Sequence, residues 1–141
     1  LAYSVMTQTR DTLLRDAALA AQSQLVSLSF DPSHDTPEQM AIYGRGQADP
    51  RRLRWLFLTT ASVAKLIPLL NGLGQDVSVE VDARGRPTRT LNHLLKLFLI
   101  DARLSVREIY SVATLDVAVL VNDLRTLALE AARVGGTARG V

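Results

Sequence analysis

The chain has 141 residues, 48% of them hydrophobic and 21% charged, so it is long enough to bury a core and too apolar to stay disordered. Its 16 basic and 14 acidic residues leave a formal net charge of +2, too balanced for a nucleic-acid partner; the cluster Arg51, Arg52 and Arg54 reads as solvated surface. There is no cysteine, which excludes disulfides, thiolate metal sites and thiol redox chemistry from this chain alone.

Leu1 to Val5 reads as the end of a strand entering a loop, which leaves room upstream for an anchor or targeting segment. Thr7 to Ala21 has helical spacing, with Leu13, Leu14, Ala17, Ala18 and Ala21 on one side and Arg10, Asp11 and Arg15 facing water. Leu25 to Phe30 reads as a buried strand that ends at Asp31-Pro32. Thr36 is the expected N-cap of a helix over Pro37 to Tyr43, with Pro37 in the first helical position and Glu38 adding negative charge to the first turn. That helix stops at Gly44-Arg45-Gly46, and Trp55 to Leu58 reads as a second strand. Strand, capped helix and strand make a crossover unit, which calls for a parallel pair.

A helix is expected over Ala61 to Leu70, kinked or restarted at Pro68 and ended by Gly72 and Gly74. Val77 to Val81 alternates apolar and polar as a strand does, and Asp82 to Pro87 has the composition of a surface turn. Leu94 to Ile100 reads as a buried strand, turning at Asp101–Leu104 into an antiparallel partner at Val106–Tyr110. Lys96 interrupts that run, and no apolar stretch is long enough to span a bilayer. Thr114 or Asp116 starts a closing helix with an apolar stripe through Val117, Leu120, Val121, Leu124, Leu127 and Ala128, which Gly135-Gly136 should end. The expected architecture is an α/β domain over 1–134, a mixed sheet with helices on both faces, followed by a flexible tail at 135–141.

Asp31-Pro32-Ser33-His34-Asp35-Thr36-Pro37, set between Leu25–Phe30 and the Trp55–Thr59 strand, resembles the SCO/SenC family at the family's spacing. The resemblance implies a thioredoxin-like fold, copper binding, and a role in assembling cytochrome c oxidase. It implies partners among respiratory-complex or other membrane-protein subunits, and no enzymatic activity. It also implies a periplasmic or mitochondrial intermembrane location, with membrane attachment through a segment upstream of Leu1. In the family, two cysteines in a C-x-x-x-C loop and one distant histidine hold the metal. Counting from Tyr3-Ser4 puts those cysteine positions at Met6 and Arg10, and the spacing from His93 to Asp101 gives His93 the histidine's place.

The donor set is therefore degenerate. A thioether at Met6 and an imidazole at His93 suit copper(I) weakly, and the permanently protonated Arg10 repels a cation. Copper is the cofactor that the resemblance implies, and the residue types present favour none. Each candidate also has a plainer role: Met6 as packing, His93 as a hydrogen-bonded structural histidine, and His34 as a surface turn residue. Asp31 and Asp35 read as residues that cap the helix and fix the loop rather than as an acid–base pair. No Gly-rich phosphate loop, H-E-x-x-H helix or nucleophile elbow occurs. Two functions follow: a SCO-like protein of copper handling or oxidase assembly with a degenerate site, or a SCO-like docking subunit that binds no metal.

Overall fold

The computed structural model describes residues 2–47, 49–75, 77–93 and 95–137, with backbone alone at 77–81, 87–93 and 134–137. The chain enters on a helix. α1 (Ala2–Leu13) buries Val5, Thr9 and Leu13, which recur every fourth residue on one face. The Thr9 hydroxyl is satisfied inside by donating to the Val5 carbonyl oxygen at 2.9 Å. The strand end expected up to Val5 is thus helical from Ala2 onward, because packing of this face outweighs the weak local preference of Tyr3 and Val5 for strand. Leu1 lies outside the described residues.

The single helix expected from Thr7 to Ala21 is broken in two. Asp16 caps α2 (Ala17–Ala21), its carboxylate accepting from the Leu19 N–H at 3.1 Å. The restart changes the helical phase. Leu19 and Ala20 turn inward, while Ala17, Ala18 and Ala21 are exposed.

The crossover unit has the expected form. β1 (Gln24–Leu28) and β2 (Arg54–Leu58) pair in parallel, with Leu25 opposite Trp55 and Leu28 opposite Leu58. Between them runs α3 (Pro37–Gly44), which packs on β2 and buries Met40. The approach is close: a Cβ added to Gly44 would lie 2.9 Å from Cδ2 of Phe57. Only glycine lets the end of this helix meet that ring.

α4 (Val63–Gly72) runs as one helix through Pro68 and does not restart there. Proline inside a helix costs about 3 kcal/mol, and the burial of Leu66 and Leu70 on either side of it works against that cost. Gly72 is the last helical residue, and Gly74 takes the left-handed conformation beyond it. The surface turn expected at 82–87 is the turn of a hairpin, with Pro87 already in the following strand. It joins β3 (Val77–Val81) to β4 (Pro87–His93), a strand the sequence reading did not anticipate. Pro87 sits at the first position of β4, where the ladder tolerates it.

β5 (Lys96–Ile100) and β6 (Val106–Ser111) form the expected second hairpin; Leu94, expected to open that strand, lies outside the described residues. α5 (Val117–Thr137) closes the chain, with Leu120 and Val121 buried. It runs on through Gly135 and Gly136 instead of stopping there, since each helical glycine costs only about 1 kcal/mol. Residues 138–141 lie outside the described ones.

One parallel and two antiparallel strand pairs, with helices packed among them, give the expected mixed α/β class. Leu13, Leu19, Ala20, Leu25, Leu53, Trp55 and Val121 make the buried core, so α1, α2 and α5 all bear on the β1–β2 unit. Two polar links fasten the second hairpin to α5. Arg107 bridges Asp101 at 3.2 Å and Glu130 at 3.0 Å. Tyr110 Oη donates to Asp123 Oδ2 at 2.6 Å, and burial, then the Asp123 carboxylate, pushes that phenol above its ordinary range. Among the described residues, no helix is long and apolar enough to cross a membrane.

Candidate functional site

α1 brings two of the candidate residues together. Met6 and Arg10 are one helical turn apart and so share a face. Met6 is half-buried and packs against the core. Arg10 does not face water as expected: its side chain is only 18% exposed. Its Nη1 donates to the Gln47 carbonyl oxygen at 2.7 Å and to Gln47 Oε1 at 3.4 Å, and its Nε donates to Asp11 Oδ1 at 2.8 Å. The guanidinium therefore ties α1 to the connection between α3 and β2.

Beside this tie lies an open groove of about 510 Å³ whose walls include Tyr3, Met6, Ile42, Tyr43, Gln47 and Phe57. Tyr3 and Ile42 are each 53% exposed, and Tyr43 is 48% exposed. Behind the groove, Trp55 stacks on Tyr3 with ring centres 6.0 Å apart and tilts against Phe57 at 4.9 Å. Trp55 Nε1 donates to Ser27 Oγ at 3.0 Å, which satisfies the indole where it is buried.

His93 stands apart in the chain's pairing. It is the last residue of β4, opposite Val77, and its side chain lies outside what is described. The described contacts of Met6 and Arg10 reach the core and Gln47.

The Asp31–Pro37 turn is built almost wholly from its own polar groups. Buried Ser29 donates from Oγ to Asp35 Oδ2 at 2.5 Å and accepts from the Asp31 N–H at 2.9 Å. Asp31 accepts from Ser33 Oγ at 2.5 Å, and its other oxygen meets His34 Nδ1 at 2.7 Å. The Ser33 hydroxyl, then His34, holds the Asp31 carboxyl below its ordinary value. The Asp31 carbonyl takes the N–H groups of His34 and Asp35, and Thr36 Oγ1 accepts from the Gln39 N–H at 3.3 Å as N-cap of α3. Glu38 is likewise held low by its own backbone N–H and by Thr36. His34 is exposed and touches only this turn among the described contacts. With their oxygens engaged in this way, Asp31 and Asp35 shape a loop rather than face a reacting group.

The chemistry at positions 6 and 10 can be tested against copper. A cuprous ion held in the family's manner needs two thiolates; here it would meet one neutral thioether and one guanidinium whose N–H groups point at oxygens. These two residues do not fit such an ion. Among the described residues, no group of three or more His, Cys, Asp or Glu side chains gathers as a metal site.

The sequence reading missed the groove, because Tyr3 and Met6 are brought to Ile42, Tyr43 and Phe57 only by the packing of α1 over β1 and β2. The apolar pair Ile42-Tyr43 at the exposed end of α3 was the available signal.

Residues 1–129 match the family model described as SCO1/SenC. The crystal structure of a SCO1/SenC family lipoprotein from Bacillus anthracis str. Ames is similar at 23% identity and a TM-score of 0.64, over 89% of this chain and 72% of that one. That likeness shows a shared fold, and the fold expected from the sequence, α/β and thioredoxin-like, is the fold of this chain. No curated protein matches it.

Proposed function

This chain belongs to the SCO1/SenC family, and from that premise we propose that it serves the assembly of cytochrome c oxidase as a docking protein with a degenerate copper site. It works in the periplasm or the mitochondrial intermembrane space, tethered to the membrane, and carries out no catalytic step. The lipoprotein nature of its structural neighbour supports the tether. The observation that carries the reading is Arg10. A fixed positive charge stands at the second cysteine position and is spent on fastening the wall of an exposed apolar groove. The groove, with Tyr3, Ile42 and Tyr43 half in water, offers the kind of apolar surface that a partner subunit covers.

The test has two arms. In cuprous competition against a chromophoric chelator, the purified protein is expected to take up no more copper than its Met6→Ala and His93→Ala variants. In detergent extracts of membranes, oxidase subunits are expected to co-purify with the protein and to be lost with Ile42→Asp. A second reading, weak copper handling through Met6 and His93, is favoured by the thioether lying open in the groove wall. Copper uptake that both alanine variants abolish would install that second reading in place of the first.

A further inference from the structure

Among the described residues, left-handed backbone occurs at Gly46, Gly74, Gly85 and Leu104. Glycine takes that conformation freely, whereas a leucine takes it against repulsion between its Cβ and the following carbonyl. Leu104, with φ of 63°, sits in the turn between β5 and β6 and is 86% exposed, the most open of the described large apolar side chains. The turn around it is fixed many times over. Asp101 Oδ1 accepts from the N–H groups of Arg103 at 2.9 Å and Ser105 at 3.0 Å, and Asp101 Oδ2 meets Arg107 at 3.2 Å. The Leu104 N–H also closes on the Asp101 carbonyl at 2.9 Å, and the Asp101 N–H on the Ser105 carbonyl at 3.0 Å.

Two unfavourable choices therefore coincide at one residue: a strained backbone and an apolar side chain in water. Neither helps this chain fold, and a residue held in this way points to a role outside the molecule. Behind Leu104, the cross-strand pair Ile100 and Val106 is also exposed, and Arg103 beside it is open to solvent. The tip stands at a hairpin turn, with the Leu104 side chain in water and the exposed Arg103 next to it.

We propose that this tip touches an anionic phospholipid surface, Leu104 entering the interfacial layer with Ile100 and Val106 behind it, while Arg103 meets headgroup phosphates. An apolar side chain at a turn tip beside a cation needs no matching concavity in a bilayer, whereas a protein partner would have to supply a fitted socket. So small a finger binds weakly alone, so its binding is read at millimolar lipid; a membrane tether would strengthen it by making the contact intramolecular. The proposal uses residues distinct from the groove and does not depend on the copper question.

The absence of cysteine makes the test direct, since Leu104→Cys gives a single labelling site. A nitrobenzoxadiazole label there should shift to the blue and brighten with vesicles of mixed phosphatidylcholine and phosphatidylglycerol. It should stay unchanged with phosphatidylcholine alone, and high salt should reverse the shift. The same label at Ala83→Cys, on the other hairpin turn, should not respond. Leu104→Gly, which relieves the strain, should melt no lower than the parent and yet partition onto anionic vesicles roughly tenfold less. A silent label at 104, an equal response at 83, unaltered partitioning of Leu104→Gly, or a shift seen only with purified oxidase would overturn the proposal, the last in favour of a protein socket.

Discussion

At the turn joining β1 to α3, almost every polar side chain is occupied in building the turn; on α1, Met6 and Arg10, which the sequence resemblance sets at the family's two cysteine positions, make packing and a brace. Ser29, Asp31, Ser33, Asp35 and Thr36 each make a hydrogen bond that fixes the loop or starts α3. Met6 has become packing and Arg10 a brace to Gln47. The difference separates two kinds of constraint. A turn residue answers to the backbone beside it, and its loss costs stability wherever the domain is used. A metal donor answers only to the metal, so once the metal is no longer held, the position is free to serve the fold.

The most forceful way to break this comparison is to restore the donors. Met6→Cys with Arg10→Cys places two thiolates one helical turn apart, and cuprous affinity by chelator competition should rise by several orders of magnitude over the parent. A double variant that still ignores copper would show that α1 has changed the site's geometry as well as its chemistry. A smaller effect tests the other side. Ser29→Ala removes a buried hydroxyl that both donates and accepts, and should lower the unfolding free energy by about 1–2 kcal/mol. Thr36→Ala, which removes the N-cap of α3, should cost about 1 kcal/mol; both are read from urea midpoints. If Ser29→Ala proves neutral, the Ser29 hydroxyl does not hold the turn.

The smallest expected effect is electrostatic. The Asp31 carboxyl is held below its ordinary value of 3.8, chiefly by Ser33, and that of Asp101 is held low chiefly by the Ser105 N–H. A depressed folded value means stability that is full above pH 3.8 and fades as pH falls through the lowered value. The melting temperature of Asp31→Asn should therefore lie slightly below that of the parent near neutral pH and converge with it in strong acid. Curves that stay parallel down to that limit would remove Asp31 from the acid response.

The crossover unit was legible because its signals are local: an apolar run cut by Asp31-Pro32, then Thr36-Pro37-Glu38 opening a helix. The family likeness rested on the same stretch. α1 was not legible at its start, since Tyr3 and Val5 favour strand until Val5, Thr9 and Leu13 are packed together. Asp16 was passed over as a cap because the alanines after it continue the helical pattern on paper. β4 was missed for the opposite reason: Thr88 to Asn92 carries a single apolar residue, Leu91, and it is the pairing with β3 that makes it a strand. At the candidate site, counting gave the four-residue spacing of Met6 and Arg10, but the strand end expected up to Val5 hid that the two share one helix face. The brace from Arg10 to Gln47 joins residues 37 apart in the chain, so no window of sequence contained it.

Trp55 is the chain's only tryptophan, wedged between Tyr3 and Phe57 with its indole N–H on Ser27. Both flanking rings are also walls of the exposed groove. The molecule therefore carries its own optical gauge: anything that settles there must displace or cover a ring in direct stack with the indole, and native emission will register the arrival without a dye.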